Sequence, residues 1–479
     1  MNFSAYKFDF TDEEVQEAAS GNRLLSLEIE FNRQCNYRCP YCYAGESQSA
    51  EDYDPRVVDE SIEQAAELGA KKIVILGGEP LLYRDIRRRI ERINGLGMGV
   101  EIFTNGSLMT DELAKFFYDH GCRVVVKFNS NDPERHDRLT GVKNSKEKAI
   151  RAFTLLQAAG YPVDMLCASS VISSENIDEI VDMWIKMREF GVTPYFEIMT
   201  PQGRLLDNRK LEVDPMELKR VFSEICEYDR RHGYEWEAQP PLVGSKCLRH
   251  KYSALVNARG DVFPCVGIDR KIGNILERPL RLILSESIMI QDLKNHREMI
   301  KGPCRTCERS ATCYGCRGAA YQLTGDYLAS DPLCWRNVGR IGDIEVLPVS
   351  AERYLPHRPP MAMIERIHAI GPESVASMTV RETCPFLGAD GVLHPSAIPE
   401  IAAQAAAAVD SFRFNGAERP GFLVSVRNVV SHAEIRTGDE IFVSFRKEDT
   451  MPKWFRIDFE LKSPDGKEFA KGEIDVCLL

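Results

Sequence analysis

The sequence predicts a multidomain α/β protein whose first part is a parallel sheet curled into a partial barrel. From residue 25 to about 232, β-branched runs alternate with helical patterns in six successive strand-helix units. A parallel pair needs a long crossover between its strands, so this alternation is typical of a parallel sheet. Cysteines crowd the chain from about 240 to 340, and residues 355–479 change to one Ala-rich helix followed by alternating strands. That last pattern predicts one helix wrapped by an antiparallel sheet.

The composition limits the classes of protein to which this chain can belong. The chain has 479 residues, of which 44% are hydrophobic and 28% charged, as expected of several globular domains. Its formal charge of −11 argues against binding to nucleic acid or to an anionic membrane, because either partner needs a basic surface. The N-terminal residues lack a basic and apolar leader, and no run approaches the roughly 20 apolar residues that span a bilayer. We therefore expect a cytoplasmic protein.

The strands and helices of the first part carry local start and stop signals. Several of the helical patterns begin with Asp or Asp-Pro and end at Gly, which cap the free ends of a helix. Parallel sheets bind ligands at the carboxyl ends of their strands, so we expect a site there. The predicted strands are LSLEIEF, KIVIL, GVEIF, RVVVKF, VDMLCASSV and TPYFEIM.

Three cysteines follow the first predicted strand directly. Cys35, Cys39 and Cys42 have the spacing C-x3-C-x2-C. In a reducing compartment, close cysteines favour metal or cluster ligation over disulfides. Three thiolates can hold three irons of a cubane cluster and leave the fourth iron without a protein ligand. Structural zinc, which needs four ligands, and incidental thiols are the alternatives.

This motif, with Tyr41 beside its last cysteine, resembles the signature of the radical SAM superfamily. The resemblance implies that the open iron binds S-adenosylmethionine (SAM) through its amino and carboxylate groups. An electron from the cluster then yields methionine and a 5'-deoxyadenosyl radical, which abstracts a substrate hydrogen. A flavodoxin or ferredoxin is the implied electron donor.

Two further stretches resemble SAM-binding motifs of that family. ILGGEPLLY follows the second strand and resembles the GGE motif, which meets the amino group of SAM, while FTNGSLM follows the third strand, where relatives shape the SAM pocket. Either stretch, taken alone, is also compatible with a plain turn. Serines of the fifth strand are expected at the ribose. The implied SAM-binding residues are Tyr41, Gly77, Gly78, Glu79, Thr104, Asn105, Ser169 and Ser170.

Seven cysteines downstream resemble the SPASM extension of radical SAM enzymes. Their spacing is C-x12-G-x4-C, then C-x2-C-x5-C-x2-C, then one more cysteine. The resemblance implies two auxiliary 4Fe-4S clusters, and a pair of zinc knuckles is the alternative. Cys304, Cys307, Cys313 and Cys334 would ligate one cluster. Cys247, Cys265 and Cys316 would ligate the other. Some relatives supply a fourth cysteine at a position that falls near Ser253 here, so one iron would have a non-cysteine ligand or be open for substrate.

The C-terminal part resembles hot-dog 3-hydroxyacyl-carrier-protein dehydratases, through YLPHRPPMAMIERI and CPFLGADGVLHPSAIPEIAAQAAAA. In that family a histidine and an acid form the dehydration pair, and Glu400 occupies the acid position. The loop that carries the family's histidine reads LGADGVL here, so His394 is the expected substitute. A structural polar contact is the alternative for His394. His357 belongs to the first motif and is not expected to be catalytic.

These resemblances imply a radical SAM core over 1–235, a SPASM domain over 236–345 and a hot-dog domain over 350–479. We expect an enzyme that abstracts hydrogen from a carrier-tethered acyl or aminoacyl chain, which the hot-dog domain binds or dehydrates. The alternative is a maturase that crosslinks, epimerises or oxidises a ribosomal peptide. A non-catalytic iron-sulfur protein is a third hypothesis. Pairing of hot-dog domains predicts a homodimer.

Overall fold

The computed structural model describes residues 6–45, 54–340, 347–370, 373–413, 421–451 and 454–478. The chain forms two compact units. The N-terminal unit comprises Met1–Gln322 and Leu328–Asp343, and the C-terminal unit comprises Leu323–Tyr327 and Ile344–Leu479. Among the helices of these described ranges, none is both long and apolar enough to cross a membrane.

The N-terminal unit is built on six adjacent parallel strands, in the order β6-β5-β4-β3-β2-β1. This confirms the predicted parallel sheet, whose strands differ from the predicted runs by a few residues at their ends. The strand β5 is shorter than predicted because residues 163–165 form a 3-10 turn before it. The strands are β1 (Ser26–Glu30), β2 (Lys72–Leu76), β3 (Gly99–Thr104), β4 (Arg123–Lys127), β5 (Leu166–Ile172) and β6 (Thr193–Ile198).

Helices cover this sheet. Two of them begin as their sequence predicts: the side chains of Asp54 and Asp214 accept a backbone N–H, and a proline opens each helix. Two helices, α1 and α5, were not predicted, and both are short, at nine and eight residues. Helix α5 also begins with an aspartate cap, Asp132, followed by a proline. The helices are α1 (Asp12–Ser20), α2 (Pro55–Glu67), α3 (Ile86–Gly95), α4 (Asp111–Asp119), α5 (Pro133–Thr140), α6 (Ser145–Ala158), α7 (Ile180–Glu189) and α8 (Pro215–Arg231).

The cysteine-rich segment continues the same sheet. Strand β7 (Leu255–Val256) pairs in parallel with β1, and β8 (Asp261–Phe263) and β9 (Gly273–Asn274) follow antiparallel. Cys247 and Cys265 therefore flank a hairpin on the free edge of β1. Four short helices complete the segment: α9 (Leu280–Glu286), α10 (Ile288–Lys294), α11 (His296–Met299) and α12 (Arg317–Thr324).

The C-terminal unit packs one long helix, α13 (Ala397–Arg413), against a seven-stranded antiparallel sheet. The alanines of α13 allow close packing, and Ala402, Ala405 and Ala408 are fully buried. Strands β10 to β12 were not predicted, because they are short and rich in small residues. In spatial order the strands are β10 (Val349–Ser350), β11 (Arg366–Ala369), β12 (Ser374–Thr379), β14 (Glu440–Met451), β15 (Trp454–Lys462), β16 (Glu468–Leu478) and β13 (Gly421–Ser431). The first residues of the predicted linker near Glu345 lie outside the described residues.

Candidate active site

The three-cysteine loop lies at the carboxyl end of β1. Its backbone is held by neighbours on two sides: the Arg38 N–H donates to the Thr140 carbonyl at 2.9 Å, and the Arg204 N–H donates to the Cys42 carbonyl at 3.0 Å. The Tyr37 N–H lies 3.4 Å from the Cys35 sulfur, in position to stabilise a thiolate. The loop is thus a preformed turn that presents three sulfurs.

Burial controls the ionisation of these thiols. It raises the pKa of Cys39 to about 12, and the neighbouring Cys42 and Cys35 raise it further. Burial likewise raises the pKa of Cys35 to about 11. The thiols are close enough to oppose each other's ionisation, so metal binding must displace protons.

The glycines after β2 pack directly on the cysteine loop. A Cβ on Gly77, whose φ is +140°, would lie 2.4 Å from the Asn32 carbonyl oxygen. A Cβ on Gly78 would lie 2.0 Å from the Gln34 carbonyl oxygen. The Gly78 N–H donates to the Asn32 carbonyl at 2.9 Å, so only glycine allows this backbone approach.

The Glu79 carboxylate joins the ends of β2 and β3. It accepts the Thr104 hydroxyl at 2.5 Å and the N–H of Asn105 at 2.7 Å, and the Leu81 N–H at 3.0 Å. Burial raises its pKa to about 6. Three protein donors therefore fix the orientation of the Glu79 carboxylate at the carboxyl ends of β2 and β3.

Tyr41 is anchored to the next strands of the sheet. Its hydroxyl accepts the Asn129 side-chain N–H at 2.7 Å, and the side-chain oxygen Oδ1 of Asn129 accepts the Val171 N–H at 3.3 Å. Its ring packs on a small cluster that includes Leu139 and Met199. The aromatic of the motif therefore holds the cysteine loop against the carboxyl ends of β4 and β5.

The two predicted ribose serines face opposite sides of β5. Ser169 is in register with Tyr195 and accepts the Lys127 ammonium at 3.0 Å. Ser170 is in register with Phe196, whose ring packs on Trp184 of α7 on the helix-covered side. Because alternate residues of a strand face opposite sides, only Ser169 lies on the side of Lys127, and its contact with the ribose stays a prediction.

Lys127 is a site residue that the sequence analysis missed. It ends β4, hydrogen-bonds Ser169, and its charge favours the thiolate form of Cys39. The signal was a lysine at the carboxyl end of an otherwise β-branched strand. Its ammonium can meet a carboxylate or a ribose oxygen beside the three-cysteine loop.

Cys304, Cys307, Cys313 and Cys334 line a single cavity, together with Arg309, Arg336 and Asn337. The Gly315 N–H donates to the Cys313 sulfur at 3.2 Å, and the Asn337 side-chain amide donates to the Cys304 sulfur at 3.4 Å. Four sulfurs around one space, with N–H donors and cations nearby, fit a fully ligated 4Fe-4S cluster.

Cys247, Cys265 and Cys316 form the other group. Burial raises the pKa of Cys265, and Cys316 and Cys247 raise it further, so the three sulfurs are neighbours. The Ala319 N–H donates to the Cys316 sulfur at 3.3 Å. The buried Ser253 hydroxyl accepts from Ser26 at 3.0 Å.

No group of three or more Cys, His, Asp or Glu side chains in the described ranges converges on a single ion.

An interior ion pair ties the second cysteine group to the barrel. Arg249 Nη1 lies 3.0 Å from the Glu28 carboxylate of β1, and Arg249 also hydrogen-bonds the Tyr195 hydroxyl of β6. Burial raises the pKa of Glu28, whereas Arg249 opposes that rise. Because Arg249 follows Cys247 by two residues, its contacts with Glu28 and Tyr195 fix the position of Cys247 relative to β1 and β6.

The C-terminal unit contains a cavity of about 210 Å³ between α13 and the sheet. At one end, His357 Nε2 lies 3.6 Å from Glu400 Oε1. Gln404 donates to the same Glu400 oxygen at 2.9 Å and orients the carboxylate. The lining residues are Pro356, His357, Glu400, Ala403, Gln404, Ala406, Ala407, Asp410, Gly421, Leu423, Lys447, Phe455, Ile457 and Val476.

The structure does not place His394 in this cavity. Its Nδ1 lies 2.8 Å from the Ser396 hydroxyl and 3.3 Å from the Ser396 N–H, just before α13 begins. This local polar contact with Ser396 corresponds to the alternative prediction for His394. His357, which was not expected to be catalytic, stands beside Glu400 instead.

Three family models match the chain. Residues 29–183 match the radical SAM superfamily, residues 247–308 match an iron-sulfur cluster-binding domain, SPASM, and residues 349–477 match ApeP dehydratase. The first two fall on the barrel and the cysteine-rich segment, and the third falls on the sheet that carries the His357 and Glu400 cavity.

Curated relatives resemble the N-terminal two thirds. An AdoMet-dependent heme synthase of Methanosarcina barkeri is 27% identical over 355 residues, covering 66% of this chain and 97% of the relative. A PqqA peptide cyclase of Gluconobacter oxydans is 27% identical over 335 residues, covering 65% and 90%.

Solved structures share the fold of this part. Streptococcus suis SuiB bound to S-adenosylmethionine has a TM-score of 0.51 at 18% identity, covering 68% of this chain and 84% of that one. Native anSMEcpe with bound AdoMet and a Cp18Cys peptide has a TM-score of 0.52 at 15% identity, covering 67% and 96%. The chain is a radical SAM enzyme that uses SAM and 4Fe-4S clusters and carries a SPASM domain and a C-terminal ApeP-like dehydratase domain.

Proposed function

We propose that this enzyme abstracts hydrogen from a carrier-tethered acyl or aminoacyl chain, and that its C-terminal unit is a hot-dog domain that binds and processes the acyl group. The observation that carries the proposal is the cavity along α13, which places an imidazole 3.6 Å from a carboxylate at one end. A carrier protein is the corresponding partner.

The cluster ligands follow the three cysteine groups. Cys35, Cys39 and Cys42 hold the SAM-binding cluster, and the two downstream groups hold the auxiliary clusters. When bound there, the first cluster and SAM would supply the one-electron chemistry for hydrogen abstraction. A flavodoxin or ferredoxin delivers the electron.

The surrounding side chains bind and orient SAM. The backbone of residues 77–79 receives its amino group, and Lys127 with Ser169 binds its carboxylate or ribose oxygens. Support for these roles comes from the close backbone packing at Gly78 and from the hydrogen bond between Lys127 and Ser169. Tyr41, Thr104 and Asn105 hold the pocket in shape through hydrogen bonds to Asn129 and Glu79.

His357 and Glu400 act as the dehydration pair on a 3-hydroxyacyl thioester. One removes the proton beside the carbonyl, and the other protonates the departing hydroxyl, so that a C=C bond forms and water leaves. Gln404 fixes the carboxylate by donating to it while accepting the Met363 N–H at 2.9 Å. The first turn of α13 adds a favourable dipole for the Glu400 anion.

Glu400→Gln and His357→Asn should each lower dehydration of a 3-hydroxyacyl carrier substrate by about 10²–10⁴-fold, the usual loss of an acid-base group. The measurement is formation of the enoyl product by mass spectrometry. His394→Asn is the matched control and should retain the wild-type rate. A normal rate in the Glu400 variant, or loss in the His394 variant, would reverse this assignment.

A peptide maturase is the second candidate. Two observations support it. A peptide appears in the name of the relative PqqA peptide cyclase and in the name of the anSMEcpe structure, and the C-terminal unit has an exposed apolar edge at which it could dimerise. Strand β13 ends the sheet and exposes five large apolar side chains, so a second copy pairing there forms a homodimer. They are Phe422, Leu423, Val424, Val426 and Val430.

One anaerobic assay separates the candidates. The reconstituted enzyme, with SAM and reductant, is given either deuterated acyl carrier substrates or candidate precursor peptides. Transfer of deuterium into 5'-deoxyadenosine from the acyl chain supports the first proposal, and transfer from the peptide supports the second. Formation of no 5'-deoxyadenosine by a cluster-replete enzyme would contradict both.

A further inference from the structure

The cavity of the C-terminal unit has two chemically different ends. His357 and Glu400 form one end, and Asp410 and Lys447 form the other. Glu400 and Asp410 are ten residues apart on α13, which corresponds to about 15 Å along the helix axis. Between them, Ala403, Ala406 and Ala407 give a smooth apolar wall. The cavity is thus an elongated channel along one stripe of the helix.

The two ends also differ in exposure. The side chains of His357 and Glu400 are 33% and 27% exposed, whereas those of Lys447 and Asp410 are each 12% exposed. The proposed dehydration places the thioester at His357 and Glu400, which is the more exposed pair. The far end of its acyl chain would then lie at the more buried pair.

The far end is an ion pair and not an apolar floor. The Lys447 ammonium contacts the Asp410 carboxylate and lies 3.6 Å from the centroid of the Phe455 ring. Placing a methyl group against a buried ion pair removes water from it without replacing the hydrogen bonds. A hydroxyl group can donate to the carboxylate and accept from the ammonium at the same time.

Charged chain ends fit this pair less well. A carboxylate would compete with Asp410 for Lys447 and add an uncompensated negative charge, and an amine would do the converse. We propose that this channel, if it binds acyl chains as proposed above, selects chains of matching length whose far end carries a hydroxyl group in place of a methyl. Asp410 and Lys447 are then the specificity-determining residues.

The test uses the full-length protein and pantetheine amides, in which nitrogen replaces the thioester sulfur so that the ligand is not consumed. Ligands of increasing chain length are made in pairs that end in a hydroxyl or a methyl group, and affinities are measured by calorimetry. Short chains should show no preference. Once the chain reaches the ion pair, the hydroxyl ligand should bind at least about tenfold more tightly.

A paired variant assigns the effect to these residues. Lys447→Met with Asp410→Leu removes both charges together, which avoids leaving one buried charge alone. The hydroxyl preference should disappear, and the methyl-ended ligand should bind more tightly than it does to the wild type. Glu365→Gln with Arg381→Gln removes a surface ion pair of the same unit and should preserve the preference.

Each outcome decides a different point. Equal binding of both ligands, or a preference for methyl at every length, overturns the inference and leaves acyl binding intact. A hydroxyl preference that survives in the paired variant overturns the role of Asp410 and Lys447. If no pantetheine amide binds, the proposed acyl-binding function fails and the inference fails with it.

Discussion

The three-cysteine loop and the four-cysteine cavity of the N-terminal unit present thiolates in different ways. Cys35, Cys39 and Cys42 come from one short turn after β1, which lies against glycine backbone. The other four cysteines are spread from Cys304 to Cys334 and surround one cavity. In the proposed assignment, the three sulfurs of a single turn leave one coordination position for SAM, whereas the four sulfurs around a cavity fill every position. The open and the closed site thus use the same ligands, cysteine thiolates, and differ in the path of the backbone that presents them.

Removing one sulfur from the open site should have the largest effect. Cys39→Ala should reduce SAM cleavage below detection, because two thiolates cannot hold the cluster, and both auxiliary clusters should remain visible by electron paramagnetic resonance. The measurement is 5'-deoxyadenosine formation under reducing, anaerobic conditions. Loss of all cluster signals together would instead indicate one shared structural role and would contradict the separation of the sites.

Removing one cysteine from the closed site should lower the stability of the protein and its iron content. Cys313→Ala should lower bound iron by about a third, since one of three clusters is lost, and should lower the thermal unfolding midpoint. Cys226→Ala is the control, because the Cys226 thiol lies 3.2 Å from the Trp236 carbonyl and away from either group. An unchanged iron content in the Cys313 variant would argue against a cluster in this cavity.

Gly78→Ala tests how the open site depends on glycine. The added Cβ would lie 2.0 Å from the Gln34 carbonyl oxygen and displace the cysteine loop. We expect SAM affinity, measured by equilibrium dialysis with the reconstituted enzyme, to fall at least about tenfold. Gly95→Ala is the matched control, because an added Cβ meets no atom within 4 Å there. Unchanged SAM binding in the Gly78 variant would show that this backbone contact is dispensable.

Lys127→Met should have the smallest effect of this series. It removes one charged hydrogen bond beside the open site, worth about 1.5–3 kcal/mol, so the KM for SAM should rise about tenfold or more. Lys115→Met on the exposed face of α4 removes a similar charge from a surface ion pair and should leave that KM unchanged. Equal KM values in both variants would exclude a direct role for Lys127 in binding SAM.

Local patterns allowed much of this protein to be predicted. The parallel strands, the Asp-Pro helix starts and the cysteine groups depend on neighbours within a few residues, so spacing reveals them. The GGE turn was equally evident, although its carboxylate proved to be occupied by Thr104 and Asn105. By itself, the sequence therefore determined the barrel and the three sets of sulfur atoms.

Only the tertiary structure decided which distant side chains meet. His357 and Glu400 are far apart in sequence and come together because α13 packs beside the loop that carries the histidine. His394 is closer to Glu400 in sequence, but its ring hydrogen-bonds Ser396 instead. The same holds for Arg249 with Glu28, which depends on β7 pairing with β1. Such contacts depend on strand register and packing, which no short stretch of sequence encodes.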